Sequence, residues 1–221
     1  DGRNFINYAS AAYCPQVKLT SWNCANCVGY AAGSSEVVYF QDTSVDSAGF
    51  LAINKNSKLI ILSYRGTDDL ENWLYNLNIW LTSAGLSGRN SNAEIHPGFN
   101  TMALSLLSQT ASSLKSAIGK YPDYKIVLTG HSLGGAIATL IGFHLGQSNF
   151  IPWEKLNVIT YGQPRVGNSA FASFLNTKPW TFTRITAYSD IVPISPGILL
   201  EYYHNQYNMH INRAGQTIKC S

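Results

Sequence analysis

Ser132 stands in Gly130-His131-Ser132-Leu133-Gly134, after the apolar run YKIVLT and before the apolar run AIATLIGFHLG. A serine so placed has two readings: it caps a helix, or it reacts. A serine hydroxyl attacks an acyl carbonyl only when a base takes its proton and an acid orients that base. The G-x-S-x-G pattern suits this chemistry when it joins a strand to a helix. The sharp turn strains the serine backbone and lifts Oγ clear of the sheet. Strand and helix then approach so closely that the residues two before and two after must lack side chains, as Gly130 and Gly134 do. The helix begins at the serine, so its free N–H groups favour negative charge there. The N–H of Leu133 is thus a candidate oxyanion donor.

In sheets of this kind the order along the chain is Ser, then Asp or Glu, then His. The acids after Ser132 are Glu154, Asp190 and Glu201. Asp190 directly follows the strand-like run TFTRITAY, at the strand end where open α/β sheets place functional groups. Glu154 precedes a strand, at the wrong end, and Glu201 is less well placed. His204 and His210 both follow Asp190, and position alone does not choose between them. His144 lies on the apolar helix after Ser132 and reads as structural. His131 adjoins the serine but should point elsewhere, and His96 breaks the order.

The elements that would carry these residues follow from periodicity. Residues 1–13 have apolar side chains at helical spacing, as do residues 99–121, which Pro122 and Asp123 end. Two apolar runs flank Asn54-Lys55-Asn56-Ser57, a hairpin signal. YKIVLTG, LNVITYG and TFTRITAY read as strands; SLGGAIATLIGFHLG and residues 168–176 read as helices. The alternation predicts an α/β fold, with a mixed, mostly parallel central sheet and helices on both faces.

The chain of 221 residues is 45% hydrophobic and only 12% charged, with a net charge of +3. That suits one domain over residues 1–221. No basic block gives a nucleic-acid footprint. No apolar run is long enough to predict a transmembrane helix. The chain starts at Asp1 with no signal-like segment, so any signal peptide is expected to have been removed. Four cysteines, Cys14, Cys24, Cys27 and Cys220, suit disulfides in an exported protein. Cys24 and Cys27 form a lone CxxC without the second pair or histidines that a zinc site needs, so no metal is expected.

Several stretches together resemble the fungal-type class 3 lipases, an α/β-hydrolase group that also includes feruloyl esterases. They are AAYC, LSYRGT, ENWLYNLN, HPGF, YPDYKIVLTGHSLGGAIATL, YGQPRVGN, FASFL and RITAYSDIVP, and they span most of the chain. The resemblance implies a triad of Ser132, Asp190 and His204, the last from a Tyr-x-His signature past the acid. His210 is the rival; where relatives show Glu-Tyr-Trp, Asn208, Met209 and His210 stand here. It also implies Thr67, after Arg65 and Gly66, as the second oxyanion donor beside Leu133. It implies disulfides Cys14–Cys220 and Cys24–Cys27.

Residues 70–81, LENWLYNLNIWL, put Leu70, Trp73, Leu74 and Leu77 on one helical stripe. The resemblance makes this short amphipathic helix a lid, able to turn its apolar face towards lipid at an interface. Its apolar character favours lipid esters over feruloyl esters. The expectation is a secreted, extracellular serine ester hydrolase, a triacylglycerol lipase acting through an acyl-serine at lipid–water interfaces. It would need no cofactor and would work as a monomer by default. The rivals are a phospholipase or galactolipase, a feruloyl-type esterase, and a catalytically dead lipid-binding module on the same fold.

Overall fold

The computed structural model describes residues 2–67, 69 and 80–220, less the side chain of Arg3. Its strands are β1 (Ser35–Asp42), β2 (Ser47–Asn54), β3 (Leu59–Tyr64), β4 (Thr82–Ser83), β5 (Glu94–Ile95), β6 (Lys125–His131), β7 (Leu156–Tyr161), β8 (Gly167–Asn168), β9 (Thr181–Ala187), β10 (Tyr202–Tyr203), β11 (Asn208–Ile211) and β12 (Thr217–Cys220). Its α-helices are α1 (Ile6–Ala11), α2 (Gln16–Thr20), α3 (Pro97–Lys120), α4 (Leu133–Gln147) and α5 (Ser169–Asn176).

An eight-stranded sheet runs β1-β2-β3-β6-β7-β9-β11-β12. From β3 through β11 each neighbouring pair is parallel, while β1, β2 and β12 run antiparallel at the two ends. The sheet is mixed and mostly parallel, as expected. A smaller four-stranded sheet, β10-β8-β5-β4, sits apart.

Period-two alternation sorts the strand side chains onto two faces. Phe50, Ala52, Leu59, Ile61 and Val127 pack with Tyr8, Ala9 and Ala11 of α1. Leu51, Ile53, Ile60, Leu62, Ile126, Leu128 and Val158 pack on the other face with residues of α3, α4 and α5. The hairpin forms as predicted: Asn54 pairs with Leu59, and its Oδ1 accepts from the N–H of Ser57 at 3.0 Å. Helix α3 starts two residues before the predicted Phe99. His96 caps it, accepting at Nδ1 from the N–H of Phe99 at 3.2 Å, and Pro97 occupies the first turn, where its missing N–H costs nothing.

One disulfide expectation holds and the other is corrected. Cys24 and Cys27 are bonded. Cys14 and Cys220 are both free thiols. Cys14 follows α1, which packs over β3, β6 and β7, whereas Cys220 ends the edge strand β12, beyond β9 and β11. Strands lie about 4.8 Å apart, so the intervening strands hold the two cysteines farther apart than the ~5.5 Å Cα spacing of a bridge. The predicted lid stripe, Leu70, Trp73, Leu74 and Leu77, lies outside the described residues.

Candidate active site

Ser132 heads α4 with φ 56° and ψ −129°. These angles are uncommon for a residue with a side chain and mark local strain. The capping reading fails on geometry. The side chain makes no cap hydrogen bond, and its Oγ is buried without a partner among the described residues. The backbone is pinned instead, with the Ser132 N–H donating to Tyr161 O at 2.9 Å. The two glycines are forced as the sequence implied. A Cβ on Gly134 would run into Tyr64 O, and one on Gly130 would lie 2.7 Å from the nitrogen of Gly135.

The two candidate oxyanion donors follow the paired strands β3 and β6. Tyr64 lies opposite Gly130, the last pair of the β3–β6 ladder, and Thr67 and Leu133 each follow three residues later. Leu133 opens α4, where first-turn N–H groups have no intrahelical acceptor. Thr67 is half-buried, and its Oγ1 accepts from the N–H of Asp69 at 3.2 Å.

Asp190 lies just past the end of β9, two strands from β6. Its Oδ1 accepts from the N–H of Val192 at 3.0 Å. Its Oδ2 faces Gly162, where a Cβ would come within 2.6 Å. Gly162 has φ +55°, so both its angle and this approach call for glycine. The imidazole facing Asp190 is that of His131: burial lowers its pKa, and the charge of Asp190 pulls it partly back.

His204 does not join Ser132 or Asp190. Its Nε2 lies 2.7 Å from Pro193 O. A carbonyl only accepts, so Nε2 carries the proton and Nδ1, buried without a partner among the described residues, does not. A triad base needs the reverse: Nδ1–H towards the acid and a bare Nε2 towards the serine. Burial, with Arg184 and Arg165 nearby, drives its pKa down to about 3, and the bond to Pro193 only partly opposes this. Arg184 Nε donates to Asn205 O at 3.2 Å and so fixes this loop beside a cation rather than a carboxylate. The rival His210 is held through Nδ1 by Thr186 Oγ1 at 3.0 Å. His144 is structural as expected, with Nε2 2.7 Å from Asn100 Oδ1.

An apolar rim adjoins the acid. Ile191, Ile194, Ile198 and Leu199 are exposed, Leu199 to 96%. Trp80, 76% exposed, and Leu200 line one shallow cavity of about 340 Å³. The sequence carries the signal, since residues 191–200 hold no charged side chain. A larger cavity of about 640 Å³ opens by Lys125 and Asn157, where β6 and β7 begin, and so lies away from Ser132. Among the described residues no group of His, Cys, Asp and Glu is arranged to hold a metal, and no helix is long and apolar enough to cross a membrane.

Residues 61–200 match the family model described as Lipase (class 3). The chain belongs to the class 3 lipase family. Two class 3 relatives are secreted mono- and diacylglycerol lipases. That of Fusarium solani is 31% identical over 211 residues, covering 91% of this chain and 60% of the relative. That of Penicillium cyclopium is 33% identical over 202 residues, covering 90% and 64%. This chain therefore spans less than two thirds of the length of either. A solved triacylglycerol lipase, whose catalytic centre is described as a serine protease triad, superposes with a TM-score of 0.90 at 25% identity, covering 99% of this chain and 82% of that one. The α/β-hydrolase fold expected of the family is the one observed.

Proposed function

We propose that this class 3 lipase chain carries the nucleophile, oxyanion donors and acid of a centre that hydrolyses lipid esters. The observation that carries the reading is Ser132 itself: strained, making no cap bond, with an Oγ that is buried and, among the described residues, unpartnered at the head of α4. In this reading Oγ attacks the ester carbonyl and gives its proton to an imidazole. The N–H groups of Thr67 and Leu133 take the oxyanion. The imidazole, held by Asp190, then protonates the leaving alcohol, and water releases the acid from the acyl-serine by the same route. His204 and His210 are held by other partners in this structure, so neither is assigned that imidazole.

The names of the relatives support glycerol esters as substrates and export from the cell. The Cys24–Cys27 bond suits an oxidising compartment. The apolar rim beside Asp190 supports contact with a lipid surface.

The test is hydrolysis of tributyrin through its solubility limit, with added imidazole as the exogenous base and Ser132→Ala alongside. We expect a rate that rises with imidazole, rises again once droplets form, and is lost in the variant. A rate that Ser132→Ala leaves unchanged would overturn the reading. Faster turnover of phosphatidylcholine vesicles would replace it with a phospholipase. Loss of the imidazole-independent rate in His204→Gln would return the base to His204.

A further inference from the structure

Tyr13, in the early AAYC stretch, takes no part in the acyl transfer just described, yet its hydroxyl reaches the centre of the site. Its Oη lies 3.0 Å from Nδ1 of His131 and donates to His131 O at 3.3 Å. On its other side is Gly66, the residue before Thr67. A Cβ there would collide with the Tyr13 hydroxyl and lie 2.8 Å from His131 O. The hydroxyl is thus wedged between the turn that carries Thr67 and the turn that carries Ser132 and Leu133. The far edge of the His131 ring completes the contact. Its Cδ2 and Nε2 lie 3.6 Å from the Cβ position of Gly162, the same point that stands 2.6 Å from Asp190 Oδ2. One side-chain pair therefore touches the turns after β3, β6 and β7 and faces the acid after β9.

Oxyanion donors work only when both lie about 2.7–3.1 Å from one developing charge. Thr67 and Leu133 are on separate turns, and among the described residues the β3–β6 ladder ends at Tyr64 and Gly130. Helix α1 is a stable support for a clamp: Tyr8, Ala9 and Ala11 are fully buried, and Ser63 Oγ of β3 donates to Tyr8 O at 2.9 Å.

We propose that Tyr13 and His131 form a positioning pair that holds the Thr67 turn against the Ser132 turn, so that both backbone N–H groups aim at one point. The inference rests on reading Thr67 and Leu133 as the oxyanion donors. It gives neither side chain contact with substrate.

The test combines kinetics with amide NMR. Tyr13→Phe should lower kcat about ten- to hundredfold, the scale of a small misplacement at a reacting centre, with KM unchanged. His131→Asn, which keeps a polar atom near the Nδ1 position, should retain more of the rate than His131→Leu. The double variant Tyr13→Phe/His131→Leu should be no slower than the slower single variant, since both break one contact. Independently of activity, Tyr13→Phe should shift the amide signals of Thr67 and Leu133 and speed their hydrogen exchange. Unmoved amides would overturn the pair whatever the kinetics, and so would a lowered Tm with kcat unchanged. Moved amides in a protein whose wild type hydrolyses no ester would sink the proposed function and leave the pair standing.

Discussion

At the scale of single residues, the chemistry divides into what local pattern dictates and what distant packing dictates. Ser132 and its two glycines were legible because the constraint is local: a strand-to-helix turn needs small flanking residues whatever surrounds it. The place of Asp190 was legible because a strand end marks it. His204 was not, because its role depends on which nitrogen holds the proton. The carbonyl of Pro193 decides that from outside its own stretch of sequence, and Arg184 disfavours the charged ring. A test follows from the direction of the shift. His204 titrates near 3 in the fold rather than near its ordinary 6.5, so the unfolded chain takes up its proton first. Stability is then intact above about pH 6.5 and is lost as pH falls towards 3, at up to about 1.4 kcal/mol per pH unit. In His204→Gln, denaturant melts across that window should show a shallower loss than wild type. An equal slope in both would mean that the imidazole is not buried in its neutral form.

At the scale of elements, periodicity carried most of the fold. The hairpin of β2 and β3, helix α3, the strand β6 and the buried helix α4 all announce themselves by spacing and by turn residues. The small sheet did not, since β4, β5, β8 and β10 are two residues each, too short for any alternation to show. The β11–β12 hairpin was missed as well, although Asn212 and Gly215 mark its turn: Asn212 Oδ1 accepts from the N–H groups of Ala214 and Gln216. That hairpin matters for the cysteines, because it carries Cys220 to the edge of the sheet. Thiol titration of the denatured, unreduced chain should find Cys14 and Cys220 reactive and Cys24 and Cys27 silent. A non-reducing digest that yields a peptide joined through Cys14 and Cys220 would show the hairpin to be placed differently.

At the scale of the whole molecule, the apolar rim adjoins the strand end that carries Asp190. The loop after β9 first supplies Asp190 and then exposes Ile191, Ile194, Ile198 and Leu199. An exposed apolar cluster of this kind marks a surface that meets another apolar phase. Leu199→Asp should cut the rate on emulsified tributyrin about tenfold, through weaker adsorption, and leave the rate on a soluble short-chain ester unchanged. Equal loss on both substrates would make the loop part of the reacting site rather than of a docking surface. The overall sheet order was only partly legible, because pairing between strands distant in sequence, such as β3 with β6, is set by packing and not by spacing.

The backbone of Ser132 has one more consequence. A left-handed φ at a residue with a side chain costs roughly 1–3 kcal/mol, against about 0.5–1 kcal/mol of extra chain entropy that glycine would lose on folding. Ser132→Gly should therefore melt a few degrees higher than wild type, at 2–4 °C per kcal/mol for a chain of roughly this size. The position would then be one where inactivation and stabilisation come together in a single codon change. A lineage released from the need to hydrolyse esters would drift towards glycine there.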